Sequence, residues 1–236
     1  MQFYTGTSGY NYKEWKGVFY PEKISPDDML SFYGERLNAV EINNTFYRIP
    51  KRTVVAGWGE RVPEGFRFSV KASRRITHFK RLKEPIDEMF YMFRSLDELG
   101  DRLGVVLFQI HPNLKKDVPR LEAFLPLLPA GAPAAFEFRH ESWFDDKVYA
   151  CLERRGCALV IADAGDDPPP VVRTAPWGYF RLRKPGYTDD ELAGWRDRMR
   201  ATDWSHAFVF FKHEEEGAGP ELAARFNALA AFLRLL

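Results

Sequence analysis

Eight short strand-like runs recur along the chain, and most neighbouring pairs are separated by a stretch with helical spacing. The runs are Phe3–Ser8, Ala39–Asn43, Arg67–Lys71, Val105–Ile110, Ala135–Arg139, Ala158–Asp163, Tyr179–Arg183 and Ala207–Lys212. Each is apolar or alternates with a period of two, as a strand with at least one buried face does. Between them, Met89, Phe90, Phe93 and Leu96 share one helical face, as do Leu121, Phe124, Leu125 and Leu128. Phe144, Val148, Cys151 and Leu152 make a third face, and Leu222, Phe226, Leu229 and Leu233 a fourth. Such alternation argues a parallel sheet joined by crossover helices. Eight units in 236 residues fit an α/β fold of one domain over residues 1–236, a single (β/α)8 TIM-type barrel. An open doubly wound sheet is the runner-up, but no Gly-x-Gly-x-x-Gly follows the first strand.

Two helix starts are written in the chemistry. Ser25-Pro26-Asp27-Asp28 offers a capping serine, a first-turn proline and acids against the helix dipole. Thr188-Asp189-Asp190-Glu191 reads as a capping box. One crossover breaks the pattern. Pro168, Pro169, Pro170 and Pro176 exclude an ordinary helix between strands six and seven, so an irregular, extended, proline-rich connection is expected there.

Bulk properties exclude several classes. With 34 Lys and Arg against 33 Asp and Glu, the chain is neither a globally basic nucleic-acid coat nor an acidic disordered segment. Two cysteines, Cys151 and Cys157, make neither a disulfide framework nor a four-ligand zinc site alone, and both are expected as buried thiols. No apolar run approaches the ~18 residues of a membrane span. The opening residues lack the apolar stretch of a signal peptide, so a cytoplasmic protein without a membrane partner is expected. The 20 Phe, 10 Tyr and 6 Trp divide into two sets. Phe68, Phe90, Phe93, Phe108, Phe124, Phe136, Phe138, Phe180 and Phe226 sit where strands pack on helices. Tyr10, Tyr12, Trp15, Phe46, Tyr47 and Trp143 fall in loops at the barrel mouth, where rings can stack on a ligand.

In a barrel, alternate strand residues enter the lumen, and the C-terminal strand ends form the active face. Applied here, that phase sends Glu41 and Asn43, Lys71, Gln109 and His111, Glu137 and Arg139, Asp163, and Arg181 with Arg183 inward. Thr7 and Lys212 complete the circuit on the first and last strands. Converging charges are costly unless paired with each other or with a ligand. Here cations outnumber acids, which suggests an anionic ligand held by arginine forks. The segment Lys71–Lys83, KASRRITHFKRLK, adds a basic rim suited to a phosphate backbone. His78 and His140 are the candidate proton carriers. A divalent metal on Glu41, His78, Glu137, His140 and Asp163 is disfavoured, because the spacing lacks a paired-histidine motif and the neighbouring cations repel it. No cofactor is called for.

Several stretches resemble one family. GTSGYNYKEWKGVFYP at 6–21, VEINNTFYRIP at 40–50, FRFSVKASRRITH at 66–78 and FEFRHESWF at 136–144 are similar, in order and spacing, to the YecE-like domain of unknown function 72. The resemblance covers essentially the whole chain. It implies a TIM barrel of the xylose-isomerase-like kind and, through a likeness to endonuclease-IV-type barrels, hints at DNA binding or phosphodiester chemistry. The family's motif positions fall on Glu41, Asn43, Lys71, His78, Gln109, Glu137, Arg139, His140, Trp143 and Asp163. The chain departs from the pattern with QIHP after strand four, Arg183 where a histidine is usual, and a last strand that ends FKHEEE, from Phe211 through Lys212.

The expectation is a hydrolase acting on a phosphate-bearing substrate such as a nucleic-acid phosphodiester. Arg139 and Arg181 would hold the phosphate, Lys71 would face developing charge, Glu137 or Glu41 would be the base, and His140 or His78 the acid. Asn43, Gln109, Trp143 and Asp163 complete the binding set. Two alternatives stand beside it: a carbon–carbon lyase or sugar isomerase using Lys71, and a non-catalytic nucleic-acid-binding protein.

Overall fold

In the computed structural model, which describes residues 1–164, 170–212 and 217–232, eight parallel strands close into a barrel in chain order. They are β1 (Gln2–Ser8), β2 (Ala39–Ile42), β3 (Arg67–Lys71), β4 (Leu103–Gln109), β5 (Ala134–Glu137), β6 (Ala158–Asp163), β7 (Trp177–Leu182) and β8 (His206–Phe211). Each pairs with the next, and β8 closes on β1 through the register Gln2↔His206 to Thr7↔Phe211. The strand limits agree with the sequence expectation within two residues. Seven α-helices accompany them among the described residues: α1 (Met29–Gly34), α2 (Arg52–Glu60), α3 (Ile86–Leu96), α4 (Val118–Phe124), α5 (Asp146–Arg154), α6 (Asp189–Ala201) and α7 (Ala218–Phe232). Residues 170–176, before β7, form neither helix nor strand, and residues 165–169 of the proline-rich connection lie outside the described set. Among the described residues no helix is long and apolar enough to cross a membrane.

The capping box at Thr188 forms, with the Glu191 carboxylate accepting from the Thr188 N–H at 2.9 Å. Ser25 instead closes a turn by accepting from the Asp28 N–H at 3.2 Å, and α1 begins later, at Met29. Three of the four expected residues of α3 are buried, but Phe90 is 66% exposed, a departure from the packing layer assigned to it. Cys151 and Cys157 are buried free thiols.

Two apolar cores share the barrel wall. The larger lies between strands and helices and contains Val40, Phe68, Phe108, Phe136 and Phe180. The smaller fills the lumen, where Ala39, Ala135, Ala158 and Ala162 face Tyr4, Trp177, Tyr179, Phe208 and Phe210. Rings from β1, β7 and β8 thus occupy the room that alanines on β2, β5 and β6 leave. Tyr4 stacks on Phe208 at 5.0 Å, and Tyr179 lies 5.4 Å from Phe210. The result is an apolar floor beneath the polar mouth.

One helix residue stitches the first two strands. The hydroxyl of buried Tyr33 on α1 accepts from the Thr7 N–H at 2.8 Å and donates to the Ala39 carbonyl at 2.9 Å. Gly6 permits this approach, since a Cβ there would stand 1.8 Å from the Ala39 oxygen. Tyr33→Phe strands both backbone groups without water. It should cost about 1–3 kcal/mol, read as a fall of several degrees in Tm with the native circular dichroism retained.

Candidate functional site at the barrel mouth

Period-two phasing on β2, β3, β4, β5 and β7 delivers Glu41, Lys71, Gln109, Glu137 and Arg181 to one end of the lumen, with Arg139 and Arg183 two residues beyond Glu137 and Arg181. Arg181 lies between the two acids. Its Nη2 donates to Glu41 Oε1 at 2.9 Å and its Nη1 to Glu137 Oε2 at 2.5 Å. All three side chains are almost wholly buried. Glu41 also accepts from Ser8 Oγ at 2.7 Å, Asn43 Nδ2 at 3.0 Å and Tyr179 OH at 2.6 Å. Since the Tyr179 hydroxyl gives its proton to Glu41, it accepts from Ser69 Oγ, 2.6 Å away. Glu137 Oε2 accepts from Gln109 Nε2 at 2.9 Å, which turns the Gln109 carbonyl toward Lys71 Nζ at 2.9 Å.

The remaining face of Glu137 is guarded by cations. Arg139 Nε lies 2.9 Å from Oε1 and Arg183 Nη2 3.6 Å from it. Both contacts are ion pairs that do not meet hydrogen-bond geometry. Glu137 Oε1, Arg181 Nε and Arg183 Nε are all buried without a hydrogen-bond partner among the described residues.

Burial alone would raise both carboxyl pKa values. For Glu137, the guanidiniums of Arg181, Arg139 and Arg183, with the Gln109 bond, more than offset burial and pull it down to about 2. Glu41 is likewise held below the usual carboxylate range, by Arg181 and by the bonds from Tyr179, Ser8 and Asn43. Burial opposes the charge on Arg181, but the two carboxylates keep it protonated. Lys71 is pushed down to about 8, by burial first and then by Arg181 and Arg139, with Glu41 and Glu137 pulling the other way. His78 is lowered to about 4 by burial, His111, Lys71 and Arg139. Its ring packs edge-on to Phe46 at 4.8 Å and to His111 at 5.0 Å, and its Nδ1 is 2.9 Å from Thr77 Oγ1. Lys71 Nζ lies 4.5 Å above the same Phe46 ring.

The guanidinium of Arg181 occupies the space between the two carboxylates. Among the described residues no group of three or more His, Cys, Asp or Glu side chains could hold a metal ion.

The basic rim takes an unusual path. The Lys80 N–H bonds to the Arg75 carbonyl at 2.9 Å, closing a wide π-type turn over Arg75–Phe79. Arg81, Leu82 and Glu84 then adopt left-handed φ angles of 49°, 67° and 44°. Wide turns and left-handed residues other than glycine concentrate at functional sites. Arg74 stands 5.3 Å from the ring centroids of both Tyr47 and Phe79, which are 68% and 67% exposed. Lys80 is neutralised in part by Glu88 at 2.9 Å.

Comparison with known proteins gives this geometry a family. The model of a protein of unknown function, DUF72, matches residues 4–234. The chain belongs to the DUF72 family. A DUF72 structure from Thermotoga maritima superposes with a TM-score of 0.83 at 27% identity, covering 98% of this chain and 99% of that one. Another, from Enterococcus faecalis, gives 0.82 at 20% identity over 97% and 95% of the two chains, a likeness of fold. UPF0759 protein YecE of Escherichia coli K12 is 30% identical over 141 residues, 57% of this chain and 52% of that protein. UPF0759 protein YunF of Bacillus subtilis 168 is 33% identical over 138 residues, 55% and 49% of the two. The matched segment thus spans about half the length of these curated relatives. A xylose isomerase-like TIM barrel/4-hydroxyphenylpyruvate dioxygenase fusion protein shares the fold alone, with a TM-score of 0.55 and 14% identity over all of this chain and 44% of that one.

Within this DUF72 barrel, Glu41, Asn43, Lys71, Gln109, Glu137, Arg139 and Arg181 converge, and His78 lies beside them. Several expectations need correction. Asp163 points away from the lumen, accepting from Tyr187 OH at 2.8 Å and Trp195 Nε1 at 3.2 Å in the helix layer. On β6 the small residues Ala158, Val160 and Ala162 face the lumen, so the carboxylate goes outward. Thr7 also faces the helices, bonding Tyr33 at 2.9 Å, and Ser8 takes the inward position. Trp143 is fully buried, stacked on Phe138 at 4.6 Å with its indole N–H on the Leu114 carbonyl, and offers no surface to a ligand. Trp15, expected as a mouth ring, is equally buried among Tyr12, Phe19 and Tyr20. His140 directs its Nδ1 to the Ser142 N–H at 3.2 Å, capping a short turn. Ser8, Ser69 and Tyr179 were not foreseen, although the phase that selects Lys71 and Arg181 also selects Ser69 and Tyr179, two residues earlier.

Arg181→Met leaves two buried carboxylates facing no bridging cation and should destabilise the fold by about 3–5 kcal/mol. Adding Glu41→Gln and Glu137→Gln should recover part of that loss in urea unfolding. Glu137 also sets an acid limit. Its folded pKa of about 2 lies below its ordinary 4.5, so its contribution is complete above about pH 4.5 and falls away toward pH 2. In a background of Glu137→Gln, the slope of stability against pH across that window should be shallower.

Proposed function

We propose that the barrel mouth binds the phosphate of a phosphate-bearing substrate, with phosphoester hydrolysis as the reaction. The observation that carries this reading is the charge count. Glu41 and Glu137 face Arg181, Arg139, Arg183 and, when protonated, Lys71, so positive charge is left over at the open end. Arg181 is enclosed and serves as a counter-ion, so the phosphate falls to Arg139 and Arg183, whose planar forks suit its oxygens. The Arg139 side chain is partly exposed and that of Arg183 less so, which supports both reaching toward the open end.

The acid–base roles shift accordingly. Two ionised carboxylates locked by guanidiniums are poor bases, because their pKa values are far below neutrality. His78, neutral at pH 7 but lowered to about 4, is likewise a weak base, so its part is to orient the attacking water through a ring lone pair, while protonated Lys71 faces the charge that develops on the phosphoryl oxygens.

Calorimetric titration with inorganic phosphate at low ionic strength tests the site. Binding should be measurable, weaken as salt rises, and fall by about tenfold or more, equivalent to ~1.4 kcal/mol, in Arg183→Gln. Absent binding, or binding indifferent to Arg139→Gln with Arg183→Gln, would contradict the assignment.

The exposed Tyr47–Arg74–Phe79 stack favours a second reading of the substrate, a single-stranded nucleic acid whose bases lie on those rings. Base–aromatic stacking is worth about 1–3 kcal/mol per base. Fluorescence anisotropy with a labelled oligothymidylate should therefore show weaker binding by Tyr47→Ala and by Phe79→Ala, with unchanged inorganic phosphate affinity.

A further inference from the structure

The lysine at the end of β3 has a chemistry that phosphate binding does not use. Its Nζ projects between a neutral amide oxygen, Gln109 Oε1 at 2.9 Å, and the face of Phe46 at 4.5 Å. The groups that act on it come from every neighbouring element: Glu41 on β2, Gln109 on β4, Glu137 and Arg139 at the end of β5, Arg181 on β7, and His78 on the wide turn. Both carboxylates among them are in direct ion pairs with arginines. Burial and the guanidiniums of Arg181 and Arg139 favour the free base over the ammonium, and they outweigh the Gln109 carbonyl, the ring face and the two carboxylates, which favour the charged form.

We propose that Lys71 forms an imine with an aldehyde or ketone that carries a phosphate, the phosphate being held by Arg139 and Arg183. The step goes beyond hydrolysis but rests on the same reading of the mouth as a phosphate site. The Nζ lone pair adds to the carbonyl carbon as the C–O π bond opens, and a proton moves from nitrogen to oxygen to give a carbinolamine. The carbinolamine then loses its hydroxyl and one proton as water, leaving the C=N bond. Nothing is oxidised or reduced. His78, packed on the same Phe46 ring and neutral at pH 7, is the neighbouring group able to carry the proton.

With the Lys71 pKa at about 8, the free-amine fraction at pH 7.5 rises from roughly 0.1% for an ordinary lysine to roughly a quarter. A lower pKa also lowers intrinsic nucleophilicity, so the expected preference in labelling is about tenfold over other lysines and not the full ratio of amine fractions.

The test uses the full chain, glyceraldehyde 3-phosphate and sodium cyanoborohydride, with intact mass and peptide mapping after a short exposure. Label should concentrate at Lys71, be weaker with unphosphorylated glyceraldehyde, and be suppressed by inorganic phosphate. Lys71→Arg, which keeps a positive charge but has no amine to condense, should retain the fold and lose that label. Should this variant fail to fold, the position of the label in the unaltered chain still decides. Label spread evenly over the lysines, or absent from Lys71, would overturn the proposal. Equal labelling by glyceraldehyde and its phosphate would overturn the proposed substrate class. Phosphate binding seen by calorimetry without label at Lys71 would remove the imine and leave the phosphate site standing.

Discussion

Arg181 is the residue on which the mouth of the barrel depends. One guanidinium bonds two buried carboxylates, Glu41 from β2 and Glu137 from β5, across the lumen from β7. Two ionised carboxylates without a counter-ion would be intolerable in so dry a place. With Arg181 between them they stay charged, and each then orders its surroundings. Glu41 gathers Ser8, Asn43 and Tyr179. Glu137 orients Gln109, and Gln109 in turn holds Lys71. The acids are therefore counter-ions and positioning groups, and the unshared positive charge passes to Arg139, Arg183 and Lys71.

This charge distribution relies on the apolar floor below it. Alanines on three strands make room for aromatic rings from the other side, so the network rests directly on an apolar layer. Low polarizability under the cluster strengthens the Arg181 pairs, and the same burial depresses Lys71 and His78. Packing and reactivity are thus consequences of one pattern of side-chain volumes along the strands.

Much of this was legible in the sequence because strand alternation is strict. Once Val40 and Ile42 are set outward, Glu41 must enter the lumen, and the same logic places Lys71, Gln109, Glu137 and Arg181. It failed on β6, where Ala158 to Ala162 are all apolar and only side-chain volume tells lumen from helix layer, so Asp163 was sent the wrong way. It failed again for Trp143 and Trp15, because loop membership says nothing about whether a ring folds back onto the wall. Pairing was the least legible property. That Glu137 would be captured by three arginines, and so lose its value as a base, depends on distances between strands far apart in the chain.

The central claim is that two arginine-locked carboxylates leave the mouth cationic toward a ligand. A crystal of the protein soaked in tungstate, a phosphate-like oxyanion with strong anomalous scattering, tests it most directly. The account predicts an anomalous peak within hydrogen-bond distance of Arg139 and Arg183, with Arg181 still seated between Glu41 and Glu137. A mouth without a peak, or one in which Glu41 or Glu137 has left Arg181 for a bound cation, would contradict it.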